Sequence, residues 1–283
     1  MSFKTILVYL DDAANIDDRI RMGASLAKTH DAHLVGVAMT GIPSDMVATW
    51  THGIGADKAS AHVGIAHRNA ARAVHDFEAI AHEAGVSRLE GQLVEAFEED
   101  GAMRWARYAD LVLVGQYNPD GSAPPRLSHL GEHIAMSSGA PVLVLPYAGQ
   151  FQSMGQRVLV AWNGSTQSAR ALRQALPILQ RAAKVDIAVF SSASDEVSEL
   201  DFDEGQLIAF LARHGVQASV TRRPRDEESK VDVGDLLLSM AADVDADLLV
   251  MGCYGHTRFR ETLFGGVTRT VMRSMTLPVF IAH

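Results

Sequence analysis

The residues best suited to hold a charged ligand lie near the C-terminus. They read Gly252-Cys253-Tyr254-Gly255, then nine residues, then Gly265-Gly266-Val267-Thr268. Glycines at the start of such a segment allow a ligand to approach the backbone closely. Gly265 and Gly266 open a predicted helix, Gly266–Met275, whose Val267, Val271, Met272 and Met275 form an apolar face. A glycine-led helix presents free N–H donors and the positive end of its dipole, which suits phosphate oxygens. Thr268 adds a hydroxyl in the first turn, and His256, Arg258 and Arg260 make the intervening loop basic. Gly252 alone reads as the end of a strand. The full spacing, with Arg258 and Thr268, points to a phosphate cradle.

Such a cradle needs a strand before it and a sheet behind it, and an internal repeat supplies both. Tyr108–Tyr117 (YADLVLVGQY) returns as Asp245–Tyr254 (DADLLVMGCY), 137 residues later. Ala140–Tyr147 (APVLVLPY) returns at the same offset as LPVFIAH, and Lys4–Asp12 (KTILVYLDD) matches Gln156–Gly164 (QRVLVAWNG). The chain therefore divides into residues 1–149 and 155–283, joined by a segment of linker composition.

In the second copy, apolar runs at Val158–Trp162, Val185–Phe190, Gln217–Thr221, Leu248–Met251 and Pro278–Ala282 predict strands. Helical periodicity over Gln167–Arg181, Asp203–His214, Val233–Asp243 and Gly266–Met275 separates them. Strands that are apolar throughout, alternating with helices, indicate an α/β fold: an open, mainly parallel sheet covered on both faces. Two such five-stranded sheets in tandem are expected. The first copy is about 15 residues longer, and its excess (TGIPSDMVATWTHGIG) reads as a loop or short helical flap before a helix at Asp57–Gly85.

The spacing G-x2-G-x9-G, between a strand and the final helix and strand, resembles the ATP-binding signature of universal stress proteins. Gly252, Gly255 and Gly265 match it, whereas Gly266 stands where that family has Ser or Thr. The resemblance covers the chain as a tandem of two such domains, with the adenine nucleotide alpha hydrolase-like fold. It implies that ATP, with Mg2+, is held by Gly252, Gly255, Arg258, Gly265, Gly266, Val267 and Thr268. By the same comparison Ala161 and Met251 line the adenosine pocket, and Asn163 stands where the family's acidic base or ribose contact falls. It also implies pairing of the terminal strands, so that the two domains pack as a pseudo-dimer, and allows homo-oligomers through those strands.

The first copy differs at every phosphate position. Gly255, Gly265 and Gly266 become Asn118, Ser128 and His129, and Arg258 and Arg260 become Gly121 and Ala123. Thr268 and Arg269 become Gly131 and Glu132, and Pro119, Pro124 and Pro125 stiffen the loop. The first domain is thus read as a degenerate partner, although Asp11 survives at the end of its first strand and leaves room for a small or uncharged ligand.

Composition narrows the alternatives. A net charge of −9 argues against a dedicated nucleic-acid binder. No apolar run approaches the length of a membrane span, and the N-terminus has no signal pattern, which predicts a cytoplasmic protein. The single cysteine, Cys253, forms no internal disulfide and reads as a small filler residue. His62, His67, His75 and His82 read as a polar helix face, Asp17 and Asp18 as first-turn acids, and Glu98–Asp100 as a solvated connection. No G-x-S-x-G elbow, Walker loop or H-E-x-x-H motif occurs. The leading expectation is a regulatory ATP-binding protein acting on unidentified client proteins. The rivals are a slow ATPase or self-phosphorylating protein, and a nucleotide-free interaction protein.

Overall fold

The computed structural model describes residues 2–51, 56–121, 123–151, 153–192, 203–225, 232–254 and 266–283. The chain divides into two compact units, one built on Ser2–Val142 and the other on Ser153–His283, to which Leu143–Gly149 also belongs.

The first repeat runs β1 (Thr5–Leu10), α1 (Ile16–His30), β2 (His33–Met39), α2 (Ser44–Thr51), α3 (Ala56–Glu83), β3 (Leu89–Val94), α4 (Glu98–Ala106), β4 (Leu111–Gly115), α5 (Leu130–Ser138) and β5 (Val142–Leu145). Its strands lie in the order β3-β2-β1-β4-β5. The second runs β6 (Arg157–Ala161), α6 (Thr166–Leu179), β7 (Lys184–Ser192), α7 (Glu204–Arg213), β8 (Ala218–Arg225), α8 (Val233–Asp243), β9 (Leu248–Gly252), α9 (Gly266–Ser274) and β10 (Val279–Ala282). Its order, β8-β7-β6-β9-β10, repeats the first.

Pairing is parallel from β3 to β4 and from β8 to β10. Burial explains the strand compositions. Ile6, Leu7 and Val8 in β1, and Val158, Leu159 and Val160 in β6, are covered on both sheet faces. In each unit the first strand lies between its second and fourth, so the strand order reverses there. Open α/β sheets bind ligands at this reversal, beyond the carboxyl ends of the strands.

Capping sets the helix starts. Ser165, Asp203 and Asp232 each accept a hydrogen bond from a backbone N–H in the first turn of α6, α7 and α8. Asp17 and Asp18 occupy the first turn of α1, as their placement predicted. Glu98–Asp100 departs from expectation: the acids are the first turn of α4, where the helix dipole favours negative charge. The insertion of the first copy carries α2. His62, His67, His75 and His82 lie exposed along α3, and Cys253 is buried and not part of a disulfide. β8 runs through Pro224, past its predicted end; it is the last strand in its unit's order, where a residue without an N–H is tolerated. Among the described residues, no helix is long and apolar enough to cross a membrane.

Candidate functional site

In the second unit, β6 and β9 are parallel neighbours with Val158 opposite Leu248 and Val160 opposite Val250. That register brings the half-buried Ala161 and the exposed Asn163 to the same sheet end as the buried Met251 and the half-buried Gly252. All four residues assigned to the adenosine side or the strand-end glycine therefore gather at the strand-order reversal.

Asn163 is tied to the entry of α6. Its Oδ1 accepts from Ser165 N at 3.2 Å and from Ser165 Oγ at 2.7 Å. Its Nδ2 donors have no partner among the described residues, so the group it offers a ligand is a donor. Ser165 Oγ in turn accepts from Ser168 N at 3.2 Å, and the buried Ser168 hydroxyl donates to Ser165 O at 2.9 Å.

Gly252 is demanded by packing as well as by its place in the motif. A Cβ there would lie 2.6 Å from both Gln167 C and Ser168 N. The first turn of α6 rests directly on the end of β9. Beyond it, Cys253 N donates to Ala282 O at 2.9 Å, and Tyr254 takes a left-handed φ of 54°. Gly255, Arg258 and Gly265, with His256 and Arg260, lie outside the described residues.

Among the described residues α9 begins at Gly266, which is exposed; the first N–H groups of a helix have no intrahelical partner. Its inward side differs from the predicted face. Thr268, Val271 and Met275 are buried, whereas Val267 and Met272 are half-exposed. The spacing 268-271-275 makes as good a stripe as 267-271-275, and the methyl of Thr268 fits it. With its side chain buried, Thr268 can serve a ligand through its backbone N–H. A cavity of about 370 Å3 lies elsewhere, between α6 and α7, lined by Trp162, Leu172, Arg173, Leu207 and Phe210. None of the predicted site residues lines it.

The corresponding end of the first unit is filled by its own side chains. Arg19 of α1 is fully buried, and its Nη1 donates to Tyr9 O at 2.8 Å and to Asp11 Oδ2 at 2.9 Å. The other Asp11 oxygen accepts from Ala13 N at 3.1 Å. A Cβ on Gly115 would run into Arg19 Nη2, so the guanidinium spans the ends of β1 and β4. Asp11, read from sequence as a surviving ligand contact, is committed to this ion pair. Burial pushes the Tyr9 phenol well above its ordinary range, and the carboxylates of Asp11 and Glu98 push it the same way. The segment after β4 is tied down too: Arg126 pairs with Glu98 at the start of α4 at 2.7 Å, and His129 Nδ1 lies 3.1 Å from the buried Glu132 in the first turn of α5.

Two residues escaped the sequence reading. Arg19 lies on the buried stripe of α1 with Ile20, Gly23 and Ala27; a charge on an apolar stripe, with Asp11 eight residues before it, was the available signal. Asp232, the N-cap of α8, belongs to neither motif.

Comparison with known proteins bears on the family of the second unit and on the fold of the chain. Residues 154–283 match the model of the universal stress protein family. A universal stress protein from Archaeoglobus fulgidus superposes with a TM-score of 0.69 at 16% identity, covering 98% of this chain and 97% of its own. A functionally unknown protein from Pseudomonas aeruginosa gives a TM-score of 0.59 at 14% identity, over 99% of this chain and 92% of its own. At these identities the likeness shows a shared two-unit fold. A universal stress protein solved in complex with cAMP aligns with 52% of this chain at 17% identity and a TM-score of 0.37. No curated protein matches the sequence.

Proposed function

We propose, from the premise that residues 154–283 form a universal stress protein domain, that this domain holds one ATP per chain and works as a nucleotide-responsive regulator of client proteins in the cytoplasm. The observation that carries this reading is the convergence at the second strand-order reversal: the ends of β6 and β9 lie side by side, and α9 opens at a glycine after the predicted loop.

In this reading Ala161 and Met251 flank the adenosine, and the Nδ2 of Asn163 donates to a base or ribose acceptor. Gly252, Gly255, Gly265 and Gly266 allow the phosphates to reach the backbone. The N–H groups of Gly266, Val267 and Thr268 receive them, and Arg258 supplies charge. When bound, Mg2+ neutralises phosphate charge. The first domain, residues 1–149, takes no ATP because Arg19 and Asp11 fill its strand ends.

Binding is the purpose of this arrangement, and hydrolysis is slow. The described residues around the site are donors and apolar groups apart from Asp232, whose carboxylate is engaged as the cap of α8 beside Gly266, and none is a nucleophile. Turnover by purified protein is expected below about one per minute, far under the usual enzyme range; several per second would establish an ATPase instead. Mass spectrometry of the nucleotide that copurifies with the intact chain tests the reading directly. ATP or another adenine nucleotide is expected, and an empty protein that binds none on titration would leave a nucleotide-free interaction module.

A further inference from the structure

The cavity between α6 and α7 is lined by two half-buried aromatic rings, Trp162 and Phe210, and by the buried Leu172 and Leu207. Ala169, near the start of α6, contributes only a methyl to its wall. Trp162 N donates to Ala188 O at 2.9 Å, so the alternation of β6 carries on through Trp162 and sets its ring on the opposite sheet face from Ala161. Polar groups at the cavity are few. Arg173 is exposed, with its guanidinium carbon 5.7 Å from the centroid of the Phe210 ring, and makes no ion pair among the described residues. Asp203 is already engaged: its Oδ1 accepts from Gln206 N at 3.1 Å at the start of α7, where the helix dipole offsets its charge. The charge left uncompensated beside the aromatic rings is therefore positive.

We infer that this cavity is a second ligand site, which takes a small aromatic molecule carrying one anionic group. Its volume of about 370 Å3 falls in the range of small-molecule pockets, and a mainly apolar lining with a few polar groups is what such pockets share. The half-buried Trp162 and Phe210 keep apolar surface in water that a flat ligand would cover, in offset or edge-on contact with the rings. Arg173 sets the sign of the charge. It already lies over Phe210, so a cationic ligand would be repelled there, whereas a carboxylate or sulfonate gains a charge-assisted contact. None of Ala161, Asn163, Met251 or the described residues of α9 lines the cavity, so its ligand sits apart from the proposed nucleotide.

The test titrates the intact, nucleotide-free chain with two probes, followed by fluorescence and calorimetry. Anilinonaphthalene sulfonate is the aromatic anion, and phenylnaphthylamine is the same skeleton without the sulfonate. The anion should bind once per chain with a dissociation constant in the micromolar range. Ala169→Leu grows into the cavity from α6, and Gln206→Phe closes it from an exposed position on α7. Each should weaken the anion by about ten-fold or more, and thermal unfolding checks that both variants fold. Arg173→Gln, at the surface, should weaken the anion roughly ten-fold and the neutral probe by less than about two-fold. No saturable binding of the anion below about 1 mM, or undiminished binding in either filled variant that folds, would overturn the site. Equal weakening of both probes in Arg173→Gln would overturn its preference for an anion.

Discussion

The two strand-order reversals of this chain share a topology and have opposite contents. At the first, a buried guanidinium bridges Tyr9, Asp11 and the end of β4. At the second, the offset of 152 residues that matches Lys4–Asp12 to Gln156–Gly164 carries Arg19 to Ala171, which is buried in α6. With only a methyl at that position, the first turn of α6 sits directly on Gly252. Two side chains therefore decide whether the same sheet end is sealed by an ion pair or left to backbone and small polar groups. The fold provides a place for a ligand, and the local chemistry decides whether one enters.

The largest effect that separates the two ends is on stability. Asp11→Ala leaves Arg19, fully buried, without its counter-charge, and breaking a buried pair in this way costs about 3–5 kcal/mol. Asn163→Ala, at the matching strand end, removes only an exposed turn contact, worth about 1 kcal/mol or less. Urea unfolding of the two variants should show that ordering. Equal losses would mean that the two ends are built alike.

Next comes the backbone contact at Gly252. An added methyl meets the backbone of Gln167 and Ser168, which cannot swing aside, so Gly252→Ala should cost about 1–3 kcal/mol. It should also weaken ATP binding, because the start of α6 and the end of β9 must part. A variant as stable as the natural protein would show that this approach is looser than described.

The smallest effect concerns charge. Arg258→Ala should weaken ATP roughly ten-fold, equivalent to about 1.4 kcal/mol, and AMP much less. Calorimetric titration with each nucleotide checks this. Equal weakening of both would move Arg258 away from the phosphate tail.

Much of the fold was legible because the signals were redundant. The repeat fixed two copies of one unit, and strands apolar throughout, such as Leu111–Val114 and Leu248–Met251, announced a parallel sheet covered on both faces. Val233–Asp243 was predicted at its observed ends from helical periodicity alone. Legibility failed where one pattern admits two arrangements. Glu98–Asp100 suits a loop or a helix start equally by composition, and the inward stripe of α9 could include Val267 or Thr268. At the site, the spacing of Gly252, Gly255 and Gly265 was readable from the chain alone. The contacts of Arg19 and Asp232 were not, because each depends on a partner brought near by folding: Gly115 for one, Gly266 for the other.

The central claim is that one end of this duplicated fold binds ATP and the other is closed. Isothermal titration of the intact chain with ATP in Mg2+, beside Gly265→Val, tests it most directly. The account predicts one site per chain in the natural protein and none in the variant, whose added side chain blocks the approach of phosphate to the backbone. Two equivalent sites, or undiminished binding in Gly265→Val, would contradict it.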